Sequence, residues 1–458
     1  MTEALQTITP AKGWAPDSWQ KKSAGQQATY PDLQALEGAV YHLSQMPPLV
    51  TSWEVLALKD QIAEAQAGKR FFLQGGDCAE VFSECEPSII ANRLKVLLQM
   101  SLVLLHGLEM PVVRIGRFAG QYAKPRSEDT ETRDGVTLPT YRGDLVNSPE
   151  FTAEARRPDP ARLLTAHSCS AMTMNFVRAL VDGGFADLHH PEYWDLGWVQ
   201  HSPLAEEFRR IAESIGHSVR FVETITGQQP GSLRRVDFFT SHEALHLHYE
   251  QALARRVPRQ WGYFNMSTHF PWIGMRTAEL GGAHVEMFRG LRNPLGIKIG
   301  PAMTSDWLKG LLRTLNPDNE AGRIVLIHRM GANKVADHLP RLIETVKATG
   351  SPVLWVCDPM HGNTEKTDSG YKTRRFANIQ AEVEQAFDVH AACGSRLGGV
   401  HLELTGENVT ECIGGARELA EQDLNRCYKT TVDPRLNYEQ ALEMAMLVVR
   451  KRRSLNPR

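Results

Sequence analysis

The chain has 458 residues, 42% of them apolar and 23% charged, a balance that excludes a largely disordered or low-complexity polypeptide. That length admits one large α/β domain with additions, or two domains. With 51 basic against 53 acidic side chains the formal charge is −2, which argues against a general nucleic-acid-binding or membrane surface.

The opening MTEALQTITPAKGW has neither a basic n-region nor an apolar h-region, so a cytoplasmic protein is expected. Next comes WEVLALKDQIAEAQAG, which reads as a helix and places residues 1–69 in an N-terminal extension packing outside the main domain. From there, short apolar runs ending in polar or glycine-containing segments recur along the chain. They are RFFLQ (70–74), PVVRIG (111–116), VDFF (236–239), YFNM (263–266), LGIKIG (295–300), RIVLIH (323–328), PVLWV (352–356) and GVHLEL (399–404). Between them lie segments such as SDWLKGLLRTL and VADHLPRLIETVKATG, whose apolar residues recur at three- and four-residue steps. Strands alternating with helices in this way predict a parallel (β/α)8 TIM barrel over residues 70–458.

Three further features qualify that plan. LKVLLQMSLVLLHGL is the most apolar, but Lys95, Gln99 and His106 interrupt it, and it reads as too short to cross a bilayer. Between the second and third strands, about 124–235, a Pro- and charge-rich loop and helical stretches such as PLAEEFRRIAESIG form an accessory insertion, a place for subunit contacts or regulation. Seven scattered cysteines, an odd number, fit reduced thiols rather than a disulfide framework.

A barrel of this kind works at the C-terminal ends of its strands, and the residues there are chemically rich. Cys78 follows the first strand, Arg117 and Lys124 the second, Arg329 the sixth and His361 the seventh. Lys298 lies in the fifth, Glu403 ends the eighth and Asp433 comes from the tail beyond. Cys78, His361, Glu403 and Asp433 make a possible metal set of one sulfur, one imidazole and two carboxylates, suited to Mn2+, Co2+, Fe2+ or Zn2+ and poor for Mg2+ or Ca2+. Taken singly, each has a plainer reading, a small buried thiol or a hydrogen-bonded imidazole, and only a shared barrel face joins them.

Arg117, Lys124, Arg126, Arg276, Lys298 and Arg329 form a second constellation. Each alone could be a structural ion pair; together at one mouth they point to a substrate bearing more than one phosphate or carboxylate. HEALH, His242 to His246, matches the zinc-protease pattern and reads instead as a helix start near the mouth after a Thr240–Ser241 cap.

LQGGDCAE, AGQYAKPRS, YRGD, SHEAL, NPLGIKIGP, HRMGANK, CDPMHGNT, GYKTR, GGVHLELTGENVTEC and DPRLNYEQALE together resemble type II 3-deoxy-D-arabino-heptulosonate 7-phosphate (DAHP) synthases, the first enzymes of the shikimate pathway, from about residue 50 onward. The resemblance implies a metal-dependent condensation of phosphoenolpyruvate with erythrose 4-phosphate, releasing inorganic phosphate. It implies Cys78, His361, Glu403 and Asp433 as ligands of a divalent metal, Mn2+ or Co2+ foremost, with Zn2+, Fe2+ or Cd2+ as further choices. It assigns phosphoenolpyruvate to Arg117, Arg276, Lys298 and Arg329 and erythrose 4-phosphate to Lys124, Arg126 and Ser127, with Lys372 near the aldose; Arg117, Lys298 and His361 are its catalytic residues. The accessory segments look like those of the larger regulated members, which implies a dimer or tetramer, aromatic amino acid effectors and a chorismate mutase complex. One departure stands out: WIGMRT carries Met275 where the family commonly has an acidic residue. Two other readings stay open beside this one, a different metal-dependent aldol enzyme on the same barrel and a sensor of aromatic amino acids without catalysis.

Overall fold

The computed structural model describes residues 13–183, 205–226, 237–258 and 260–455. Helices α1 (Leu33–Gln45) and α2 (Ser52–Gln66) come first, α2 opened by a capping box between Thr51 and Glu54. Strand β1 (Phe71–Gly76), helix α3 (Pro87–Leu108) and strand β2 (Val112–Arg117) follow, then the hairpin β3 (Thr130–Arg133) and β4 (Val136–Pro139). After α4 (Ala161–Asp182) and α5 (Ala205–Thr226) come β5 (Phe239–Glu243), α6 (Leu247–Leu253), β6 (Ala254–Arg256), β7 (Tyr263–Asn265), β8 (Phe270–Ile273) and α7 (Ala283–Arg289). The remainder runs β9 (Leu295–Ile299), α8 (Ser305–Leu315), β10 (Ile324–His328), α9 (Val335–Thr349), β11 (Val353–Cys357), β12 (Thr364–Lys366), β13 (Lys372–Arg374), α10 (Phe376–Ala392), β14 (Leu397–Glu403) and α11 (Tyr438–Leu455).

Strands β1, β2, β5, β8, β9, β10, β11 and β14 close a parallel barrel, β1 pairing with β14 at the closure. This is the expected (β/α)8 architecture. Successive side chains on each strand face opposite sides, so one set fills the barrel and the other meets the helices. Inside, Phe72, Val113, Phe239, Phe270, Val325 and Leu354 pack in one cluster with Leu58, Ile62 and Ala65 of α2. The N-terminal segment therefore does more than pack alongside: α2 stoppers the bottom of the barrel. One layer higher the interior turns polar, with Gln74 Nε2 donating to Ser241 Oγ (2.9 Å) and Gln74 Oε1 2.6 Å from His401 Nδ1.

Two strands differ from expectation. The fourth barrel strand is β8, FPWI, whereas YFN of the expected YFNM pairs antiparallel with β6 outside the barrel. Pro271 hides β8 in the sequence, because a proline demotes a run as a central strand. The third strand, expected at 236–239, is seen at Phe239–Glu243 and runs through polar TSHE; Val236 lies outside the described residues. Three of its polar side chains are tolerated because they find buried partners, and the fourth, Glu243, faces the cavity. Thr240 meets His269, Ser241 donates to the Gly116 carbonyl, and His242 Nε2 pairs with Glu250 at 2.8 Å. HEALH accordingly sits on a strand end and a turn, and the helix starts at Leu247 with His246 as its cap. The protease reading fails, since His242 and His246 point to Glu250 and Tyr30 rather than to a shared ion.

Helix α3 is longer than its apolar stretch suggested, and it is long and apolar enough to cross a membrane. Most of it is buried, against α11 and the barrel wall, which accounts for its composition. Hairpin β3–β4, α4 and α5 occupy the interval between β2 and β5.

Ile62 is fully buried in the stopper, so Ile62→Ala should leave a cavity costing about 2–5 kcal/mol. A urea midpoint unchanged from the parent chain would show that α2 does not close the barrel.

Candidate active site

At the top of the barrel lies a cavity of about 440 Å³. Strand ends deliver its walls. Gly76 ends β1 with φ +145°, and a Cβ there would lie 2.7 Å from the Arg117 carbonyl, so only glycine lets β1 run this close to β2 before the turn to Cys78. Arg117 and Glu403 are the last residues of β2 and β14, and Lys298 is the fourth of β9. Asp433 is brought over the mouth by a bridge between Leu404 and Leu436. Cys78, Arg117, Lys124, Arg126, Ser127, Arg276, Lys298, Arg329, His361, Lys372 and Asp433 all line the cavity; Glu403 stands buried just behind it.

The four sequence-derived ligand candidates converge. Donor atoms of Cys78, Glu403 and Asp433 lie within 4.8 Å of one another. His361 Nε2 is 3.1 Å from Glu403 Oε1, and its Nδ1 is 2.8 Å from Asp358 Oδ2. With Nδ1–H donating to Asp358, Nε2 turns a lone pair on a carboxylate oxygen, and two acceptors that close need a cation between them, a proton or a metal ion. Glu403 Oε2 is buried with no hydrogen-bond partner; Arg374 Nη2 is 2.7 Å away but not aligned as a donor. Lys124 places its ammonium 2.5 Å from both Cys78 Sγ and Asp433 Oδ2, so the donor set already attracts positive charge. One sulfur, one nitrogen and two carboxylates around such a point fit a divalent transition ion.

Electrostatics follow from this crowding. Burial pushes the Glu403 carboxyl up, but His361, Lys124, Arg374 and Arg117 together hold it well below the usual range. Asp433 behaves alike: burial pushes its carboxyl up, but Lys124, Arg374 and Lys372 together hold it well below the usual range. The Cys78 thiol is driven up by burial and by the Glu403 and Asp433 charges. Burial lowers Lys298 to about 8, even though Asp358, its ion-pair partner, works in the opposite direction.

The remaining cations face the open side. Arg117 donates to Glu403 (3.0 Å) and to the Asp77 carbonyl (3.1 Å) and lies 5.2 Å from the Trp272 ring centre. Arg329 Nη2 donates to the His361 carbonyl (3.0 Å), which joins the sixth and seventh strand ends. Exposed Arg276 donates to Ser127 Oγ (3.0 Å), and Arg126 exchanges backbone hydrogen bonds with the Gln26 side chain. Lys372 pairs with Asp433.

Sequence reasoning missed several members. Asp358 is fully buried and bridges Lys298 and His361, and it also accepts from the backbone N–H of Met360 (3.0 Å). Its signal was in plain view, three residues before His361 in CDPMHGNT, where one carboxylate can orient an imidazole. Arg374 donates to Thr364 Oγ1 (3.0 Å) and to the Pro434 carbonyl, fastening the Asp433 loop beside Glu403; nothing local in GYKTR marks it as buried. Glu243 also lines the cavity, and a Cβ on Gly274 would sit 2.4 Å from its Oε1, so the wall where Met275 brings no carboxylate does hold one.

The profile of the Class-II DAHP synthetase family matches residues 14–449. A Neurospora crassa protein named phospho-2-dehydro-3-deoxyheptonate aldolase is 47% identical over 97% of this chain and 95% of its own. A Streptomyces coelicolor protein of the same name is 47% identical over 95% of this chain and 96% of its own. A truncated 3-deoxy-D-arabino-heptulosonate 7-phosphate synthase from Thermotoga maritima aligns over 84% of this chain and 87% of its own, at 13% identity and a TM-score of 0.32; the barrel is established by the strand pairing above, not by that likeness. With a family match that spans both the barrel and the segments around its cavity, the chain belongs to the class-II DAHP synthetase family.

Proposed function

We propose that this enzyme is a 3-deoxy-7-phosphoheptulonate synthase, acting in the cytoplasm, which joins phosphoenolpyruvate to erythrose 4-phosphate and releases inorganic phosphate. The observation that carries the reading is the pairing, in one cavity, of a buried Cys/His/carboxylate donor set with a ring of arginines and lysines. Two anionic substrates repel each other in water, and fixed cations remove that barrier to their encounter.

In this reading Arg117, Lys298, Arg329 and Arg276 hold phosphoenolpyruvate, and Lys124, Arg126 and Ser127 hold erythrose 4-phosphate, with Lys372 beside the aldose. The Arg276–Ser127 hydrogen bond ties the two subsites together. A divalent ion bound by Cys78, His361, Glu403 and Asp433, with Mn2+ or Co2+ favoured over Zn2+, Fe2+ or Cd2+, would supply Lewis acidity toward the aldehyde oxygen. The chain's own groups orient C3 of phosphoenolpyruvate toward the aldehyde carbon, and water then adds at C2 as the phosphate leaves. The family membership supports the same reaction and the same pathway, the shikimate route to aromatic amino acids. Among the described residues, α1 and α4 contribute no side chain to the cavity, and to α1, α4 and α5 we assign the contacts of a dimer or tetramer, aromatic amino acid effectors and a chorismate mutase partner.

Phosphate release should require both substrates, vanish after EDTA treatment and return with Mn2+ or Co2+. Cys78→Ser and His361→Ala should lose bound metal and turnover together; full metal-dependent turnover in either variant would remove that residue from the ligand set.

Asp358→Asn keeps the shape of the bridge but withdraws the charge that orients His361, and metal affinity should drop about 10- to 100-fold. A metal titration indistinguishable from the parent chain would make Asp358 a bystander.

Lys298 also predicts a pH limb. Its ammonium is lost as pH climbs past about 8, so the KM for phosphoenolpyruvate should rise there. Lys298→Arg, which cannot deprotonate in this range, should flatten that limb; a limb that persists would assign it to another group. The sign for stability is opposite: between about 8 and the unfolded lysine value near ~10.4 the unfolded chain binds more protons, so this group makes stability rise with pH.

A further inference from the structure

On the far side of the barrel wall from the cavity, a second donor set is assembled. His328 ends β10 and faces Cys357 of β11 in strand register. Their neighbours Ile327 and Val356 fill the barrel interior, so His328 and Cys357 point outward, to Glu382 on α10. One donor atom from each of the three lies within 4.8 Å of the other two, and all three side chains are fully buried. Among the described residues, one other set meets that measure, the Cys78, Glu403 and Asp433 group of the cavity.

The second observation is independent of that spacing. Neither ring nitrogen of His328 has a hydrogen-bond partner, although an imidazole sealed from water needs one for its N–H and one for its lone pair. Beside it, 5.7 Å between ring centres, His390 has its Nδ1 near Ser395 Oγ while its Nε2 is equally without a partner. Glu382 is anchored differently: Oε1 accepts from the Met330 and Gly331 N–H groups (2.8 and 2.9 Å) and Oε2 from Asn363 Nδ2 (2.7 Å). Its oxygens keep lone pairs to spare, and it ties together the two loops that carry Arg329 and His361.

We propose that His328, Cys357 and Glu382, with His390 as the fourth donor, form a structural site for a divalent ion of the zinc and cobalt type. Sulfur and nitrogen donors rule against Mg2+ and Ca2+. A thiolate and a carboxylate cancel the double positive charge, leaving a neutral assembly that an apolar interior accepts. Binding displaces the thiol proton of Cys357 to solvent and forms a sulfur–metal bond, with no redox change. Closed on all sides, the site has no position for a substrate, which makes it structural rather than catalytic. Its role is to brace the loops after β10 and β11 from behind. The proposal does not depend on which substrates the cavity takes.

The test is metal content of the full chain, expressed with zinc and dialysed against a weak chelator. His328→Leu should hold one equivalent less than the parent chain, and Glu382→Gln, which keeps acceptors for the Met330 and Gly331 N–H groups, should show the same loss. In Cys78→Ser protein refolded with Co2+, a thiolate-to-cobalt absorption band should remain and should disappear when Cys357→Ser is added. Equal metal content in His328→Leu and the parent chain overturns the site. So does a His328→Leu protein that melts higher than the parent chain with and without chelator, because that is the behaviour of an unpaired buried histidine and nothing more.

Discussion

A single buried carboxylate, that of Glu403, organises the mouth of this barrel. It is sealed from water, and an ionised carboxyl in that position is tolerated only when surrounded by opposite charge. Arg117 at the end of β2, Lys124 in the loop beyond it, His361 in the loop after β11 and Arg374 at the end of β13 supply it. Two of these groups are in turn fixed by a second anion, Lys124 by Asp433 and His361 by Asp358, while Arg117 and Arg374 are held by backbone carbonyls of Asp77 and Pro434. The result is an alternating lattice of charge in which no member can be moved without uncovering another. Such a lattice contributes little net stability, because desolvation consumes most of the Coulombic gain, but it sets geometry tightly.

The loop that carries Asp433 is held by the same logic one shell further out. Arg435 forks between Asp77 (2.6 Å) and Glu411 (2.9 Å), and Glu411 also accepts from the backbone N–H groups of Thr430 and Arg435. Asp77 is shared with Arg93 of α3. A segment of irregular backbone that supplies a candidate ligand is thus stapled to β1, α3 and β14 through charged hydrogen bonds, which are the stronger kind.

How much of this could be read in advance differs by residue. The barrel was legible because its strands are short apolar runs bounded by glycine and polar residues, and seven of the eight expected runs contribute to or adjoin a barrel strand. The exception, β8, carries a proline and only four residues, and local pattern favours the outer YFN ribbon that has the better alternation. In the site, Cys78, His361, Glu403 and the cations were legible because they break apolar strands at their C-terminal ends. Asp358 and Arg374 were not, since their importance lies in pairings across long stretches of chain, which spacing does not encode. HEALH misled for a related reason: a local motif implies a helix, and here tertiary pairing with β2 and β8 made its first half a strand.

Helix α2 has a bearing on how the molecule comes into being. The stopper precedes every strand of the barrel, while closure joins β1 to β14, and the Gln74–His401 contact across that joint spans 327 residues. A chain emerging N-terminus first therefore carries the exposed apolar faces of α2 and β1 through nearly all of its synthesis before the last strand arrives to cover them. Long-range closure of this kind is slow, and partly finished barrels present unpaired parallel edges to their neighbours. The topology itself thus leaves the earliest-made apolar faces waiting on the last-made strand.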